Sequence, residues 1–365
     1  MFVALRDIRF AKGRFALMGS VVALITLLIV LLSGLTAGLA DQSTSAINEL
    51  PASHIVFGTS GEEAPEESYA DSTVTRAQVD AWARTDGVEW AEPLGVTQSR
   101  LELSNGDGAA VALFGAPSGG RLASVPGTTA HGLVVGEELA EEYGIASGDT
   151  VTVGGTELTV DAVAPTGSYS HTPAVWADIE TWREIDPRLR HAEGADAPVA
   201  NVVALGLASG TDTAPTDEAA GTVTVPLADS LDAIGSFSSE NGSLVTMQAF
   251  LYAISALVIG AFLTVWTIQR AGDIAILKAL GGSTRYLLRD ALAQALIVLL
   301  AGAAAGGAVG VGLGALAGSV LPFSSTVATT VGPVAAMVVL GMLGAALAVR
   351  RITSVDPLTA LGGVR

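Results

Sequence analysis

ALAQALIVLLAGAAAGGAVGVGLGALAGSVLPFSSTVATTVGPVAAMVVLGMLGAALAV, residues 291–349, runs for 59 positions without a charged side chain. A helix rises about 1.5 Å per residue and the hydrocarbon core of a bilayer is about 30 Å thick, so a run of this length crosses twice. Leu321-Pro322-Phe323-Ser324-Ser325 and Pro333 interrupt it. These breaks predict helices over 291–319 and 333–349, joined by a short external turn over 320–332. Outward from this stretch, residues 15–40 and 241–269 are also uncharged and each spans once, which predicts helices over 15–40 and 244–268. The first run ends in Gly38-Leu39-Ala40 like a cleavage site, yet it far exceeds the roughly 7–15 residues of a signal-peptide core. It is expected to stay as an anchor.

The rest of the composition agrees. Half of the 365 residues are hydrophobic, only 15% are charged, and mean hydropathy is +0.53. The net charge of −18 excludes nucleic acid as a partner class, and the absence of cysteine excludes disulfides and thiolate metal sites. Charge is also divided along the chain. Residues 1–14, 270–290 and 350–365 hold 11 of the 18 basic residues and net +7, whereas 41–240 nets −25. The positive-inside rule predicts a cell-membrane protein with both termini and the 269–290 loop in the cytoplasm and residues 41–243 outside. The predicted fold class is therefore a polytopic α-helical membrane protein with four transmembrane helices and an α+β extracytoplasmic domain between the first and second.

Within that domain, residues 53–57, 96–103, 109–114, 150–153, 157–163, 173–176 and 200–207 alternate or cluster apolar residues as strands, and Asn105-Gly106-Asp107-Gly108 and Gly154-Gly155 mark hairpins. Thr75 is placed to cap a helix over 76–84, and a second over 136–143 stops before Gly144. The acidic or Ala/Thr/Gly-rich stretches 60–72 and 209–221 read as mobile loops. Ala46, Ile47 and Leu50 on one side, and Leu227, Leu231, Ile234 and Phe237 on the other, predict helical stalks leading to the membrane. In the third span Gly302, Gly306, Gly310, Gly314 and Gly318 recur every fourth residue, a ridge that lets another helix approach closely, and Gly34 and Gly38 form a shorter version in the first.

Chemistry is not expected in this chain. Its two lysines, Lys12 and Lys278, lie in no phosphate-binding loop, so ATP and Mg belong to a separate subunit. His54, His131, His171 and His191 have no tight ligand spacing and read as ordinary surface or half-buried residues, and no Gly-x-Ser-x-Gly elbow occurs. The loop RAGDIAILKALGGSTRYLLRD, residues 270–290, combines an apolar helical face with a Gly281-Gly282 break and a capping Ser283 or Thr284.

That loop resembles the coupling loop of FtsX-like permeases, the membrane subunits of type VII ABC transporters. Ala4-Leu-Arg-Asp-Ile-Arg-Phe10, Leu133 to Ala140, Tyr143 to Val151 and Asp356-Pro357-Leu358-Thr359-Ala360-Leu361 are similar to the family's other landmarks, with Thr359 replacing its usual glutamate. The resemblance implies an ABC ATPase partner docked through Asp273, Ile274, Ile276, Leu277, Lys278, Leu280 and Gly281. Ser33 to Ala40, Ile47 to Leu50 and Met247 to Gly260 look most like the haem-efflux branch, HrtB-type permeases that act as homodimers beside an HrtA-like ATPase. This implies haem as transported ligand rather than a resident cofactor. Haem needs apolar helix faces, one or two axial ligands and a polar rim. The candidates are Met247 or Glu49 for the iron, Phe250, Leu251 and Ile254 as wall, His54 and Glu240 in reserve, and Tyr252 or Phe237 for stacking. No other metal is expected. ATP-driven movement of the first two spans would squeeze the ligand outward. The alternatives are a regulatory permease that transmits ATPase motion to an extracellular partner, or an exporter of another lipophile or peptide.

Overall fold

The computed structural model describes residues 12–59, 64–122, 129–192, 194, 196–269, 283–318 and 320–353. They fall into two units, one formed by residues up to Gly38 together with those from Gly242 onward, the other by Leu39–Asn241.

In chain order the elements are α1 (Lys12–Asn48), β1 (His54–Phe57), β2 (Val74–Thr75), α2 (Arg76–Ala83), β3 (Val88–Leu103), β4 (Gly108–Ala116), β5 (Gly132–Gly136), α3 (Glu137–Tyr143), β6 (Thr150–Val153) and β7 (Thr156–Ala164). Then follow β8 (Ser168–Tyr169), β9 (Thr172–Asp178), α4 (Ile179–Ile185), β10 (Pro198–Ala200), β11 (Val202–Leu207), α5 (Ala214–Ala220), β12 (Val223–Pro226), α6 (Gly235–Gln269), α7 (Thr284–Ala317) and α8 (Val327–Thr353). Four of these, α1, α6, α7 and α8, are long and apolar enough to cross a membrane.

At about 1.5 Å per residue, α1 and α6 are roughly 55 and 52 Å long, well beyond the bilayer core. Their excess supplies the stalks. In the first, Ala46, Ile47 and Leu50 are buried, as their spacing predicts. The second is not the continuous helix that Leu227, Leu231, Ile234 and Phe237 suggest: a 3-10 turn over Asp229–Ala233 ends at Ile234, whose ψ of 100° leaves the helical region, and α6 starts at Gly235. All four side chains nevertheless pack into one core. Apolar spacing reports the buried face, not the type of turn that presents it. The fourth span also differs from 333–349. Thr326 and Thr329 cap each other reciprocally at 2.9 and 3.2 Å, so α8 starts at Val327, with Pro333 inside it.

The membrane unit packs Met18, Val22 and Ile29 of α1, Ile259 and Leu263 of α6, Ala295, Val298, Leu299 and Ala303 of α7, and Met337 and Ala345 of α8 into one core. Gly302, Gly306 and Gly310 lie against Gly19, Val22, Ala23 and Val30 of α1, so the ridge is a seam between the first and third spans. Its outer end differs. Gly314, and opposite it Gly34 and Gly38, meet Pro322 and Phe323 of the turn instead of a helix.

In the outer unit β3 is long enough to serve three neighbours. Its first half pairs with β11, its second with β4, and its end with β6. The pairing β3-β4-β9-β5-β7-β6 thereby returns to β3, while β11, β1 and β12 extend the sheet on the other side. Alternation splits the side chains: Val111 and Leu113 of β4 face one core with Trp82 and Trp182, and Ala112 and Phe114 face another with Ala46, Ile47 and Ile234. Thr75 caps α2 in a reciprocal capping box with Gln78, and Gly144 ends α3 in the left-handed conformation, as their positions predict.

The two stretches expected to be mobile are more structured than their composition implies. Residues 60–63 lie outside the described residues. Tyr69, however, is fully buried edge-on to Phe57 and Tyr169, with its hydroxyl 2.9 Å from Ser230 Oγ. One aromatic anchor pins an acidic loop. Residues 214–220 form α5, closed by Gly221 at φ 65°.

Candidate functional site

The base of the outer unit is organised by a two-residue hairpin. β8 and β9 pair Ser168 with Pro173 and Tyr169 with Thr172, leaving Ser170 and His171 as the turn, with φ of 51° and 64°. A tight hairpin of this hand needs two positive φ values. Neither residue is glycine, and such positions cost about 1–3 kcal/mol each unless the surroundings over-determine them. Here they do. The Ser170 and His171 amides donate to the carbonyls of Ser43 (3.0 Å) and Gln42 (3.2 Å) in α1, and the Ser168 amide donates to Ser45 Oγ (2.9 Å). Gly167 comes so close that a Cβ there would lie 2.8 Å from the Ala46 nitrogen. On the other side, Ser170 Oγ is 2.6 Å from Ser236 Oγ of α6, and His171 Nε2 donates to Glu240 Oε2 at 2.8 Å while lying 3.0 Å from Ser43 Oγ.

His171, read from sequence as an ordinary surface or half-buried residue, thus meets Glu240, a reserve ligand candidate. The missed signal is the run Ser43-Thr44-Ser45, whose residues are all buried. Glu49 and His54 lie elsewhere in this unit. Glu49 is exposed at the end of the first stalk and lines a cavity of about 70 Å³ with Leu50, Leu122, Thr166 and Trp176. That is far below the roughly 300–1,000 Å³ of pockets for drug-sized ligands. His54 starts β1, with Nδ1 3.0 Å from Ser53 Oγ. Among the described residues no three or more His, Asp or Glu side chains converge as a metal site.

One buried carboxylate is elsewhere. Burial opposes the charge on Asp186, but hydrogen bonds from Arg188 and Thr97 outweigh it and hold the carboxyl below the ordinary range. Arg188 Nη2 donates to it at 3.0 Å. This anchor holds the chain after α4.

In the membrane unit Met247, Phe250 and Ile254 form one exposed apolar stripe at the outer end of the second span, 57%, 65% and 56% exposed, with Leu251 and Tyr252 turned partly toward the membrane-unit core. Gln248 Nε2 donates to Thr36 Oγ1 at 3.0 Å and ties the second span to the first. A groove of about 450 Å³ lies between the first and third spans, lined by Phe15, Gly19, Ala23, Val298 and Gly302 among others; none of the haem candidates lines it. Asp273, Ile274, Ile276, Leu277, Lys278, Leu280 and Gly281 lie outside the described residues.

Four apolar helices with a folded domain inserted between the first and second define a multi-pass membrane permease. Residues 16–223 match the MacB-like periplasmic core domain and 245–357 the FtsX-like permease C-terminal family. The chain belongs to the FtsX-like permeases with a MacB-like periplasmic core domain, and is the permease subunit of an ABC transporter, a class that works with an ATPase partner. It is 24% identical to a putative hemin transport system permease protein HrtB of Staphylococcus haemolyticus, over 100% of both chains. It is 26% identical to an uncharacterized ABC transporter permease of Mycobacterium tuberculosis, over 100% of this chain and 99% of that one. Among solved structures it is similar to the periplasmic region of MacB from Actinobacillus actinomycetemcomitans, with a TM-score of 0.34 and 9% identity over 50% of this chain and 92% of that one.

Proposed function

We propose that the chain is the permease of a haem-efflux pump, a homodimer working with an HrtA-like ATPase, its termini and 269–290 loop in the cytoplasm. The observation that carries this reading is the Met247, Phe250 and Ile254 stripe, an apolar surface with a thioether at the outer end of a span. Full-length similarity to hemin transport permeases supports the same cargo. A flat apolar macrocycle lies against such a stripe, and its iron takes a thioether or carboxylate, from Met247 or Glu49. Efflux then requires two states with different affinity for haem, because a ligand held equally in both is not moved. The ATPase, coupled through residues 273–281, sets which state is populated, and this chain supplies the surface and the levers.

The test is a haem titration of the purified full chain in detergent, followed through the Soret band, for wild type, Met247→Ala and Glu49→Ala. A saturable spectrum altered by Met247→Ala supports ligation at the outer end of the second span, and one altered by Glu49→Ala alone assigns the iron ligand to the outer unit instead. A wild-type spectrum matching partition into empty detergent overturns the cargo assignment. A second reading, transmission of ATPase motion to an extracellular partner, is favoured by the hairpin that holds both stalks, and takes precedence in that case.

A further inference from the structure

The Ser170–His171 turn contacts two helices that are far apart in sequence, and its contacts are of different kinds. Toward α1 they are mainly backbone: the Ser170 and His171 amides donate to the carbonyls of Ser43 and Gln42, and His171 Nε2 also lies 3.0 Å from Ser43 Oγ. Toward α6 they are side chain: Ser170 Oγ with Ser236 Oγ, and His171 Nε2 with Glu240 Oε2. Each half supports the other. The backbone bonds exist only while both residues hold positive φ, and the side-chain bonds to α6 help hold that conformation, which residues other than glycine rarely adopt.

We propose that this turn is a clasp that makes the two stalks a single lever, with Glu240 on the second stalk controlling the attachment of the hairpin to the first. Both stalks belong to helices that also supply membrane spans. A displacement of either span is therefore passed to the other stalk and to β9, whose core residues Ala174 and Trp176 lie beside Ala46 and Ile47. The charge-assisted bond from His171 to Glu240 is the strongest tie on the α6 side, and Ser236 is the second. The inference rests on the chain being an ABC permease and is independent of haem as cargo.

The test is hydrogen exchange of the full chain in detergent, read at the Ser170 and His171 amides, which report the first stalk, after changes made on the second. Glu240→Ala is expected to speed their exchange about tenfold, since a charge-assisted contact that closes the turn is lost. Ser236→Ala is expected to act in the same direction, and less. His171→Asn keeps a residue that tolerates positive φ but removes the reach to both Glu240 and Ser43, and is expected to speed exchange at least as much as Glu240→Ala. Amides of β4 and β9 are the reference for an intact fold. Unchanged exchange at Ser170 and His171 in both Glu240→Ala and His171→Asn, with the reference strands still protected, overturns the clasp. Accelerated exchange confined to those two amides supports it. This outcome is separate from the haem titration, so either reading can fail alone.

Discussion

The ring of Phe323 lies against Gly34 in the space that a side chain on Gly34 would need, and it lies against Gly314 in the same way. The Ser324 amide donates to the Gly34 carbonyl at 3.0 Å, so the turn between the third and fourth spans is wedged between the first and third. Both contacts are ring edges, and the ring has no room to turn away from both glycines at once.

Gly34→Ala and Gly314→Ala are each expected to destabilise the detergent-solubilised protein by about 1–3 kcal/mol, the usual cost of overpacking. Combining Gly34→Ala with Phe323→Ala is expected to recover part of that loss. Thermal denaturation of these three variants and of Phe323→Ala alone checks both statements; additive losses in the double variant would show that ring and glycine are not energetically coupled.

Trp182 tests the outer unit in the same manner. Gly95 and Gly115 are partners across β3 and β4, and together they make a flat floor beneath its indole. Gly115→Ala is expected to lower outer-domain stability by about 1–3 kcal/mol. Four of the five tryptophans, Trp82, Trp90, Trp176 and Trp182, belong to this unit, so intrinsic fluorescence during denaturant unfolding reads it directly.

The Asp186 anchor gives a pH dependence with a definite sign. Its carboxyl titrates lower in the folded chain than in the unfolded one, so the folded state binds fewer protons. Its stabilisation is complete above the ordinary carboxylate range, about pH 4, and is lost as pH falls through the lowered folded value. Asp186→Asn is expected to lower stability at neutral pH and to flatten the fall in unfolding midpoint toward acid. Unfolding midpoints from pH 3 to pH 7 measure both; a parallel fall in wild type and variant would assign the acid sensitivity to other groups.

Tyr69 separates packing from hydrogen bonding in the loop after β1. Burial pushes its hydroxyl well above the usual tyrosine range, against the opposing hydrogen bond with Ser230. It is therefore neutral at all working pH values. Tyr69→Phe keeps the ring contacts with Phe57 and Tyr169 and is expected to cost about 0.5–1.5 kcal/mol, whereas Tyr69→Ala is expected to cost about 3–5 kcal/mol and to expose the loop to protease. Equal losses would show that the hydroxyl, not the ring, anchors the loop.

The sequence alone determined the four membrane spans and an α+β domain between the first two, because a bilayer imposes length and composition that any uncharged run of sufficient size reveals. It also determined local punctuation: the cap at Thr75, the left-handed stop at Gly144, and the apolar faces of both stalks, while the choice between Ser283 and Thr284 as cap of the third span fell to the structure, which uses Ser283. Apolar periodicity also marked Met247, Phe250 and Ile254 as one helix face, although Leu251, read onto the same face, packs toward the membrane-unit core. The tertiary structure alone decided what meets what. Ser43 and His171 are 128 residues apart, and Gln248 and Thr36 are 212 apart. No local period encodes such pairs. Serines and a histidine read singly look solvated, and only the fold shows Ser43 buried and His171 bonded to partners on two helices. The glycine ridge announced close approach but not its occupants, which are α1 along most of its length and a phenylalanine ring at the end, because absence of a side chain specifies room and not what fills it.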